Sequence, residues 1–261
     1  MNIIAINHTF VVCAYKESQF LSSCINSLLV QQESSDIIIA TSTPNKYIQK
    51  IAKRHNLKLF ENVEAKNSIG SDWNFALSCV KTPYATIIHQ DDIYLPGFAK
   101  ATLGEISKKN CLIAFTNYSE IKNDVIIKPT VNLRIKNIML LGFRIFKNSR
   151  VFRRVIFSFG CPICCPAVTY NLTALNEFKF DNNLKVSLDW DAWIRIGSNK
   201  GRFGYVSKRL IQHRIHEDSE TTNAIKNNSR STEDYKIFRR FWPKFIAKKL
   251  SKVYNKSQDT N

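Results

Sequence analysis

Two adjacent carboxylates follow the clearest strand-like apolar run of the chain. Residues 84–88 read Tyr-Ala-Thr-Ile-Ile, and His89, Gln90, Asp91 and Asp92 come directly after them. The run is short, rich in β-branched residues and bounded by turn residues, which predicts a buried strand. In open α/β sheets, ligands lie beyond the carboxyl ends of the strands. Two carboxylates there repel each other unless a cation neutralises them. A divalent metal that carries a phosphate would do so, since oxygen ligands suit Mg²⁺ or Mn²⁺; an acidic turn with solvated side chains is the alternative.

Strands and helices alternate over the first 115 residues. Apolar β-rich runs predict strands at residues 8–13, 36–40, 57–60, 84–88 and 111–115. Apolar residues at helical spacing predict helices at 18–31, 45–55, 70–80 and 98–108. This alternation predicts the α/β class, with a mostly parallel central sheet flanked by helices.

The pattern changes after residue 117. We expect an extended or loop segment at 122–133, one or two basic amphipathic helices at 135–157 and a helix that starts near Ser187. Two short strands at 202–206 and 210–215 should follow, and then a last helix at 232–253 that is interrupted or kinked near Pro243. The sequence thus predicts a smaller helical C-terminal portion. We divide the chain into three parts: residues 1–118, 119–222 and 223–261.

The formal net charge of +17 is concentrated in two segments. Seven Lys or Arg residues and no acid lie between Arg134 and Arg154, and eight lie between Lys236 and Lys256. Local basicity indicates a surface for a negatively charged partner. Basic residues mixed with Phe, Trp, Leu and Ile suit an anionic membrane surface. No nucleic-acid-binding motif is visible, so we expect no nucleic acid partner.

Cysteine usage and hydropathy favour the cytoplasm. The seven cysteines form an odd set, and most lie in apolar runs where Cys acts as a small hydrophobe. Cys161, Cys164 and Cys165 have no second Cys/His pair at finger spacing, so zinc is the weaker reading. The N-terminus lacks the features of a secretory signal, and no apolar run approaches a membrane span. We expect a cytoplasmic protein held peripherally on the inner face of the cell membrane.

The order of these features resembles family 2 glycosyltransferases, which have the GT-A fold. The resemblance rests on a first strand that ends in Cys13-Ala14-Tyr15-Lys16-Glu17, a helix that closes in Leu28-Leu29-Val30-Gln31, and a later strand that ends in acids before an aromatic and Pro96. It is densest over residues 8–100, resumes at 187–222 and is weak between 120 and 160.

The resemblance implies a donor site built from several turns. Ala14, Tyr15 and Glu17 match the turn that holds the nucleotide base. Thr41 stands where the family usually has an acid near the nucleoside, and Asp72 and Asn74 match a helix that frames the nucleotide. Asp72 is equally plausible as a partner of its helix dipole.

The family's Asp-x-Asp element falls on His89, Gln90 and Asp91, with Asp92 after it. The resemblance implies that Asp91 binds a Mn²⁺ or Mg²⁺ ion bridging the donor diphosphate. It also implies that His89 lies beside the sugar or phosphate.

The family's catalytic base falls on Asp189. The family has an acidic pair there, and this chain has Leu188 and Asp189 instead. As base, Asp189 would take the proton of the acceptor hydroxyl, and direct displacement would invert the anomeric configuration. Without the resemblance, Asp189 and Asp191 read as charges in the first turn of a helix.

A later polar stretch matches the loop that closes over the diphosphate in the family. It runs from His213 to Ser219. The resemblance implies His216 as a metal or phosphate ligand and Arg214 as a phosphate partner. A solvated polar turn is the alternative.

The sequence therefore predicts an inverting, metal-dependent hexosyltransferase. We expect a nucleotide-sugar donor, with UDP-sugars favoured, and a lipid-linked, lipopolysaccharide or capsule glycan as acceptor. The absence of family acids at Thr41, His89 and Leu188 leaves a non-catalytic nucleotide-sugar or glycan-binding scaffold as the alternative. A nucleotidyltransferase is a weaker one, because no Gly-rich triphosphate loop follows the first strand.

Overall fold

The computed structural model describes residues 7–63, 68–216 and 229–258. Within these residues a nine-stranded sheet carries helices on its faces. The strands are β1 (His8–Ala14), β2 (Asp36–Thr41), β3 (Lys58–Glu61), β4 (Tyr84–His89), β5 (Ile93–Tyr94), β6 (Cys111–Lys122), β7 (Val125–Ile126), β8 (Val168–Asn171) and β9 (Arg202–Arg214). The helices are α1 (Leu21–Leu29), α2 (Lys46–Arg54), α3 (Ile69–Ser78), α4 (Phe98–Ile106), α5 (Val131–Ile145), α6 (Arg150–Phe157), α7 (Leu188–Ser198), α8 (Ser229–Phe238) and α9 (Lys244–Gln258), with a short 3₁₀ turn at Cys165–Ala167.

The sheet order is β3-β2-β1-β4-β8-β6-β9-β5, with β7 paired to β6. The first four of these strands run parallel, as do β6 and β9, while β8 is antiparallel to both of its neighbours. The predicted α/β fold with a helix-flanked central sheet is confirmed. Its parallel part lies in the N-terminal strands and the β6–β9 pair.

Alternate residues of β1 serve two cores. Val11 belongs to the core on one face of the sheet, and Phe10 and Val12 belong to the core on the other. All three are fully buried. A strand covered on both faces reads as a continuous apolar run, which is why it was visible in the sequence.

The parallel strands bring three candidate residues to one edge of the sheet. Ala14 pairs with Thr41 at the ends of β1 and β2, and Cys13 pairs with His89 at the ends of β1 and β4. The ends of these strands therefore share an edge, and the polar turns after them meet there.

Two details of the C-terminal half differ from the prediction. The segment predicted as extended or loop over 122–133 is shorter: β7 follows β6, and α5 already begins at Val131, where Thr130 caps it by accepting from the Leu133 N–H at 3.2 Å. One strand, β9, replaces the two short ones, because register shifts near Asn117 let β6 pair with it almost throughout. The interruption predicted near Pro243 is confirmed: α8 ends at Phe238 and α9 begins at Lys244, because Pro243 cannot donate an N–H.

The predicted three-part division remains a prediction, and β6 continues through its first boundary at residue 118. Among the helices of the described residues, none combines the length and apolar composition that crossing a bilayer requires.

Candidate active site

The turns after β1 and β4 are fastened to each other. The Tyr15 N–H donates to Oε1 of Gln90 at 3.0 Å, and Nε2 of Gln90 donates to the Tyr15 carbonyl at 3.0 Å. The Gln90 amide thus replaces a backbone partner and fixes the spacing between Ala14-Tyr15 and the acidic turn. Tyr15 keeps its ring 43% exposed, beside an exposed Glu17, which leaves both side chains accessible to a ligand.

The turn after β2 is bound to the same region. Lys16 has a left-handed backbone (φ 53°), and its N–H donates to Oγ1 of Thr43 at 2.6 Å. The Thr43 N–H donates in turn to Oγ1 of Thr41 at 3.0 Å. Thr41 is only 3% exposed, and its hydroxyl supports the turn by accepting this hydrogen bond. The predicted contact of Thr41 with the nucleotide-sugar donor stays a prediction.

Asp91 faces His216. Nε2 of His216 lies 3.0 Å from Oδ2 of Asp91, and the His216 ring packs on Phe20 with 5.1 Å between ring centroids. Burial works to raise the pKa of the Asp91 carboxyl, but the hydrogen bond from His216 and the nearby His89 and His213 outweigh it and lower the pKa. Asp91 is therefore an anion at neutral pH. The predicted pair of Asp91 and His216 is brought together.

Asp92 is fully buried behind Asp91. Its Oδ1 accepts from Nδ1 of His213 at 2.9 Å and from the Arg214 N–H at 3.0 Å. Burial favours neutral His213, but the Asp92 charge prevails and raises the pKa of His213 to about 9, so this is a buried ion pair. The antiparallel pairing of β5 with β9 places these residues side by side.

Arg214 is used inside the protein. Its Nε donates to the Asp91 carbonyl at 2.9 Å, a second guanidinium nitrogen donates to Oδ1 of Asp124 at 2.6 Å, and its plane lies 4.4 Å from the centroid of Phe20. The residue is 3% exposed. The expectation that Arg214 pairs with phosphate was wrong: its donors hold the turn that carries Asp91.

His89 lies between the acidic turn and α3. Its ring stacks on Trp73, with 5.3 Å between ring centroids. Burial lowers the pKa of His89, although Asp92, Asp91 and Asp189 all act to raise it. The neutral ring leaves Nε2 buried without a hydrogen-bond partner among the described residues, and Oδ2 of Asp92 is in the same condition.

A candidate metal group therefore lies at the end of β4. Ligand atoms of His89, Asp91 and Asp92 all lie within 4.8 Å of one another. Two of these residues carry unpartnered buried atoms, and the third is ionised. Oxygen and imidazole donors of this kind fit a divalent cation.

The first turn of α3 contributes one of its two predicted residues. Asp72 is half-buried, and burial raises the pKa of its carboxyl against a hydrogen bond from Ser42. Asn74 instead binds the segment near residue 180: it donates to the Phe180 carbonyl at 3.0 Å and accepts from the Phe180 N–H at 2.7 Å. The expectation that Asn74 faces a nucleotide was wrong, because its amide is used to close this loop.

Asp189 lies in the first turn of α7. Its Oδ1 accepts from the Trp190 N–H at 2.7 Å, and Oδ2 lies 3.7 Å from Sγ of Cys161. Burial raises the pKa of the Asp189 carboxyl, although Arg230 opposes the shift. An acid with a raised pKa and a weakly bound oxygen is suited to accept a proton.

Two acids of α8 hold the start of α7. The Glu233 carboxylate accepts from the N–H groups of Lys185, Val186 and Ser187 at 2.8, 2.9 and 3.0 Å. The Ser187 hydroxyl donates to Oδ1 of Asp234 at 2.8 Å. Glu233 thus binds the backbone of the segment that leads into α7, and Asp234 binds the side chain of the residue before the helix. The sequence gave no signal for them, because the partner segment is more than 40 residues away.

Arg153 holds the other end of α7. This fully buried side chain of α6 donates to the carbonyls of Gly197, Asn199 and Gly201 at 3.0, 3.0 and 2.9 Å. Its cation offsets the negative end of the helix dipole. Asp191, which the sequence offered as a first-turn charge, pairs with Arg195 and Arg240 at 2.7 and 2.5 Å. The helix that carries Asp189 is therefore held at both ends.

Ligand atoms of His89, Asp91 and Asp92 lie within 4.8 Å of one another, and the charges of Asp91, Asp92 and Asp189 all act on the pKa of His89. The base candidate is therefore a neighbour of the acidic turn. Residues 217–219 of the predicted closing loop lie outside the described residues. The three clustered cysteines are free thiols and belong to no candidate metal group within the described part of the chain.

Comparison with known proteins agrees with this geometry. Residues 9–169, more than half of the chain, match the model of glycosyl transferase family 2. The chain belongs to that family. An uncharacterized glycosyltransferase of Rickettsia typhi is 22% identical over 251 residues, which cover 94% of this chain and 72% of that protein.

Solved structures share the fold. S. aureus TarS 1–349 in complex with UDP-GlcNAc superposes with a TM-score of 0.65 at 14% identity, over 94% of this chain and 70% of that one. A mannosyltransferase from Pyrobaculum calidifontis in complex with GDP-Man and Mn²⁺ gives a TM-score of 0.63 at 13% identity, over 97% of this chain and 73% of that one. The predicted GT-A-like fold is thereby confirmed.

Proposed function

We propose that this glycosyltransferase moves a hexosyl group from a nucleotide-diphosphate sugar to a glycan acceptor, with inversion at the anomeric carbon and with the help of a divalent metal. The observation that carries the proposal is that His89 and Asp91 lie at the carboxyl end of β4, while Asp189 in the first turn of α7 is near enough for its charge to act on the pKa of His89. The donor diphosphate needs positive charge near its oxygens, which a metal at His89 and Asp91 would supply. The acceptor hydroxyl needs a base to take its proton, and Asp189 would be that base.

The donor would bind across the fastened turns. The exposed Tyr15 ring offers a stacking surface for the base, and Glu17 offers acceptors for base or ribose hydrogen bonds. The small side chain of Ala14 leaves room for the base beside Tyr15. Gln90 would hold the Tyr15 turn at a fixed distance from the acidic turn through its hydrogen bond with Tyr15. Asp72 would border the nucleotide from α3. UDP-sugars are favoured as donors, and the likeness to TarS bound to UDP-GlcNAc supports this choice.

Asp91, His89 and Asp92 are the residues that would hold the metal, with His216 supporting Asp91 or replacing one of them. When bound, Mn²⁺ or Mg²⁺ would supply Lewis-acid stabilisation of the charge on the diphosphate. The related fold bound to GDP-Man and Mn²⁺ supports this assignment. The ion pair of Asp92 with His213 keeps the acidic turn in place whether or not a cation is present.

Asp189 would act as the base. Its carboxylate takes the proton of the acceptor hydroxyl while that oxygen forms the new bond to the anomeric carbon. The bond from that carbon to the diphosphate oxygen breaks, and its electron pair leaves with the nucleoside diphosphate. Attack from the face opposite the leaving group inverts the configuration.

The acceptor is proposed to be a lipid-linked, lipopolysaccharide or capsule glycan, with the protein on the inner face of the cell membrane. The two acid-free basic segments motivate this part of the proposal. A membrane-bound acceptor and a peripheral enzyme would meet at that surface.

A two-stage experiment tests the proposal. Thermal unfolding is followed with UDP-, GDP-, CMP- and dTDP-sugars, each with and without Mn²⁺, because a ligand of the native state raises Tm. The donor that raises Tm is then incubated with candidate glycan acceptors, and nucleoside diphosphate release and the product's anomeric configuration are measured.

Release of nucleoside diphosphate with an inverted product supports the proposal. Binding without turnover for any acceptor would favour the scaffold, which the replacement of family acids by Thr41, His89 and Leu188 makes the second candidate. Release of pyrophosphate would point to nucleotidyl transfer.

A further inference from the structure

The outer face of α5 is apolar. Its exposed apolar residues recur at spacings of four, three, three and four: Val131, Ile135, Ile138, Leu141 and Ile145. Leu133, Leu140 and Phe143 of the same helix are buried in the core. At 100° per residue, the exposed set lies on the side opposite the buried set. The helix therefore has two apolar faces, and only one of them is covered within the described residues.

Helix α6 repeats the pattern. Val151 and Val155 of α6, and Phe159 just after its end, are spaced by four residues and are 74%, 49% and 51% exposed. Arg150 and Arg154 are exposed beside them, one helical turn apart. An apolar row with a cationic row at its side is typical of a helix that lies in an interface.

The two helices and the turn before α9 form one surface. Phe146 at the end of α5 packs on Phe152 of α6, with 5.1 Å between ring centroids. Phe159 packs on Trp242 at 5.5 Å, and Nε1 of Trp242 donates to the Ser158 carbonyl at 2.7 Å. We call this the basic apolar face: the outer side of α5 and α6 together with residues 241–245, where Phe245 is also 75% exposed.

The charge of this face has one sign. Residues 131–159 and 236–258 contain no acid, and several Lys and Arg side chains of these segments are exposed. An open hollow next to Arg150 adds Lys109 and Lys200 to the cations. Exposed apolar area of this extent marks an interaction surface, and the charge selects an anionic partner.

We propose that the basic apolar face docks on the surface of an anionic lipid bilayer. Its apolar rows would enter the boundary between headgroups and acyl chains, and its Lys and Arg residues would meet the lipid phosphates. A second copy of this chain would oppose like charges. A nucleic acid would give the aliphatic rows nothing to pack against. The inference deepens the proposed function by naming the docking surface, and it rests on that function only for the identity of the acceptor.

The face leads directly to the base side of the site. Phe159 belongs to the face, and Cys161, two residues later, has its Sγ 3.7 Å from Oδ2 of Asp189. Docking by this face would therefore bring the segment that contacts Asp189 close to the bilayer, where a lipid-linked acceptor would be held.

Vesicle binding by the full chain tests the inference. Sedimentation is measured with vesicles of phosphatidylcholine alone and with added phosphatidylglycerol, at low and high salt. We expect binding only with phosphatidylglycerol and a decline as salt screens the charges. Of the four tryptophans, Trp73, Trp190 and Trp193 are buried. Quenching of tryptophan fluorescence by brominated lipids would therefore report mainly on Trp242, which lies at the face.

Two variants and one control locate the contact. Ile138→Ser/Val155→Ser removes apolar contacts, and Arg134→Gln/Arg144→Gln/Arg154→Gln removes three charges; each should lower the vesicle partition coefficient about tenfold or more. The control Lys50→Gln/Lys53→Gln/Arg54→Gln removes three exposed charges from α2. It should lower the vesicle partition coefficient less than either face variant does. All are first checked for wild-type Tm.

Equal losses in the α2 control and the face variants would overturn the inference, as would binding that does not depend on phosphatidylglycerol. Self-association of the wild type that the serine variant abolishes, without vesicle binding, would assign the face to a second copy. Donor-induced shifts in Tm are recorded in parallel. Vesicle binding without donor binding would contradict the proposed function alone, and the reverse result would contradict the docking surface alone.

Discussion

The carboxylate of Glu233 accepts a hydrogen bond from the backbone N–H of Ser187, at 3.0 Å, directly before the helix that carries Asp189. Two further N–H groups bind the same carboxylate. A residue of α8 thus holds Ser187, the residue directly before α7, which lies 46 positions earlier in the chain. In the proposed mechanism Glu233 is a positioning residue, since it orients the base without touching the substrate.

Replacement of Glu233 should reduce turnover more than donor affinity. Glu233→Ala leaves three N–H groups without their charged acceptor, and we expect a loss of about 2–4 kcal/mol in the free energy of unfolding. Glu233→Gln keeps one acceptor oxygen and should lose less. Among folded molecules kcat should fall, while the donor KM changes little. Steady-state kinetics below the Tm of each variant measures this split.

Exposed Glu33→Gln provides the control for Glu233. A donor KM that rises as much as kcat falls would show that Glu233 supports the whole fold and not the base in particular. Unchanged stability in Glu233→Ala would contradict the role of the three hydrogen bonds.

Asp189 should impose an acidic limit on activity. Burial raises the pKa of its carboxyl, so the base becomes protonated, and kcat/KM falls, at a higher pH than for an exposed Asp. Asp189→Asn should lower kcat by about 10²–10⁴-fold and remove this limb of the pH profile. The profile is measured from pH 4.5 to 8 with donor binding as the control. Unchanged turnover in Asp189→Asn would remove the residue as base.

The thiol of Cys161 should influence the pH at which kcat/KM falls on the acidic side of the profile. Its contact with Oδ2 favours the ionised carboxylate and so lowers the pKa of Asp189. Cys161→Ala should therefore move the acidic limb of kcat/KM to higher pH while the plateau at pH 8 is retained. Cys79→Ala, at a half-buried thiol in another part of the protein, is the control. A limb that stays in place would show that the 3.7 Å contact has no influence on the base.

The sequence singled out those candidate site residues that stand in a recognisable local pattern. The acidic turn and the Tyr15 turn each follow a strand, and Asp189 begins a helix. Glu233, Asp234 and His213 were missed as site residues because their roles depend on pairings across 40 to 120 positions. Arg214 and Asn74 were misassigned for the same reason: a polar side chain next to a site looks alike in the sequence whether it faces a ligand or the protein.

Strand boundaries in the C-terminal half failed for a related reason. Leu210 to Ile215 looks separate from Arg202 to Val206 because polar residues interrupt the pattern. The β6–β9 ladder nevertheless absorbs them with register shifts, and such bulges are decided by the partner strand.

Asp91 and His216 should act as a unit on the metal. Asp91→Asn removes the ionised oxygen, so we expect Mn²⁺ binding by titration calorimetry to weaken by about tenfold or more. His216→Gln should cause a smaller loss, and the double variant should lose less than the product of the two single effects, because the residues are in contact. Independent, multiplicative effects would contradict a shared site. Asp36→Asn, at an exposed acid at the opposite end of β2, controls for charge.

Asp234 should make the protein less stable as the pH rises. Burial raises the pKa of its carboxyl to about 6, with Arg230 and the Ser187 hydroxyl opposing the shift. A group with a raised pKa stabilises the fold fully below its ordinary pKa near 3.9, and this contribution is lost as the pH rises through about 6. Asp234→Asn carries no charge at any pH and can still accept from Ser187. Relative to the wild type, the variant should gain about 2 kcal/mol in the free energy of unfolding between pH 4.5 and pH 7.5. Urea unfolding at both values measures the difference, and the same substitution at exposed Asp36 cancels general charge effects. A variant that is equally destabilised at both pH values would mean that the pair with Arg230 outweighs the cost of burying the charge.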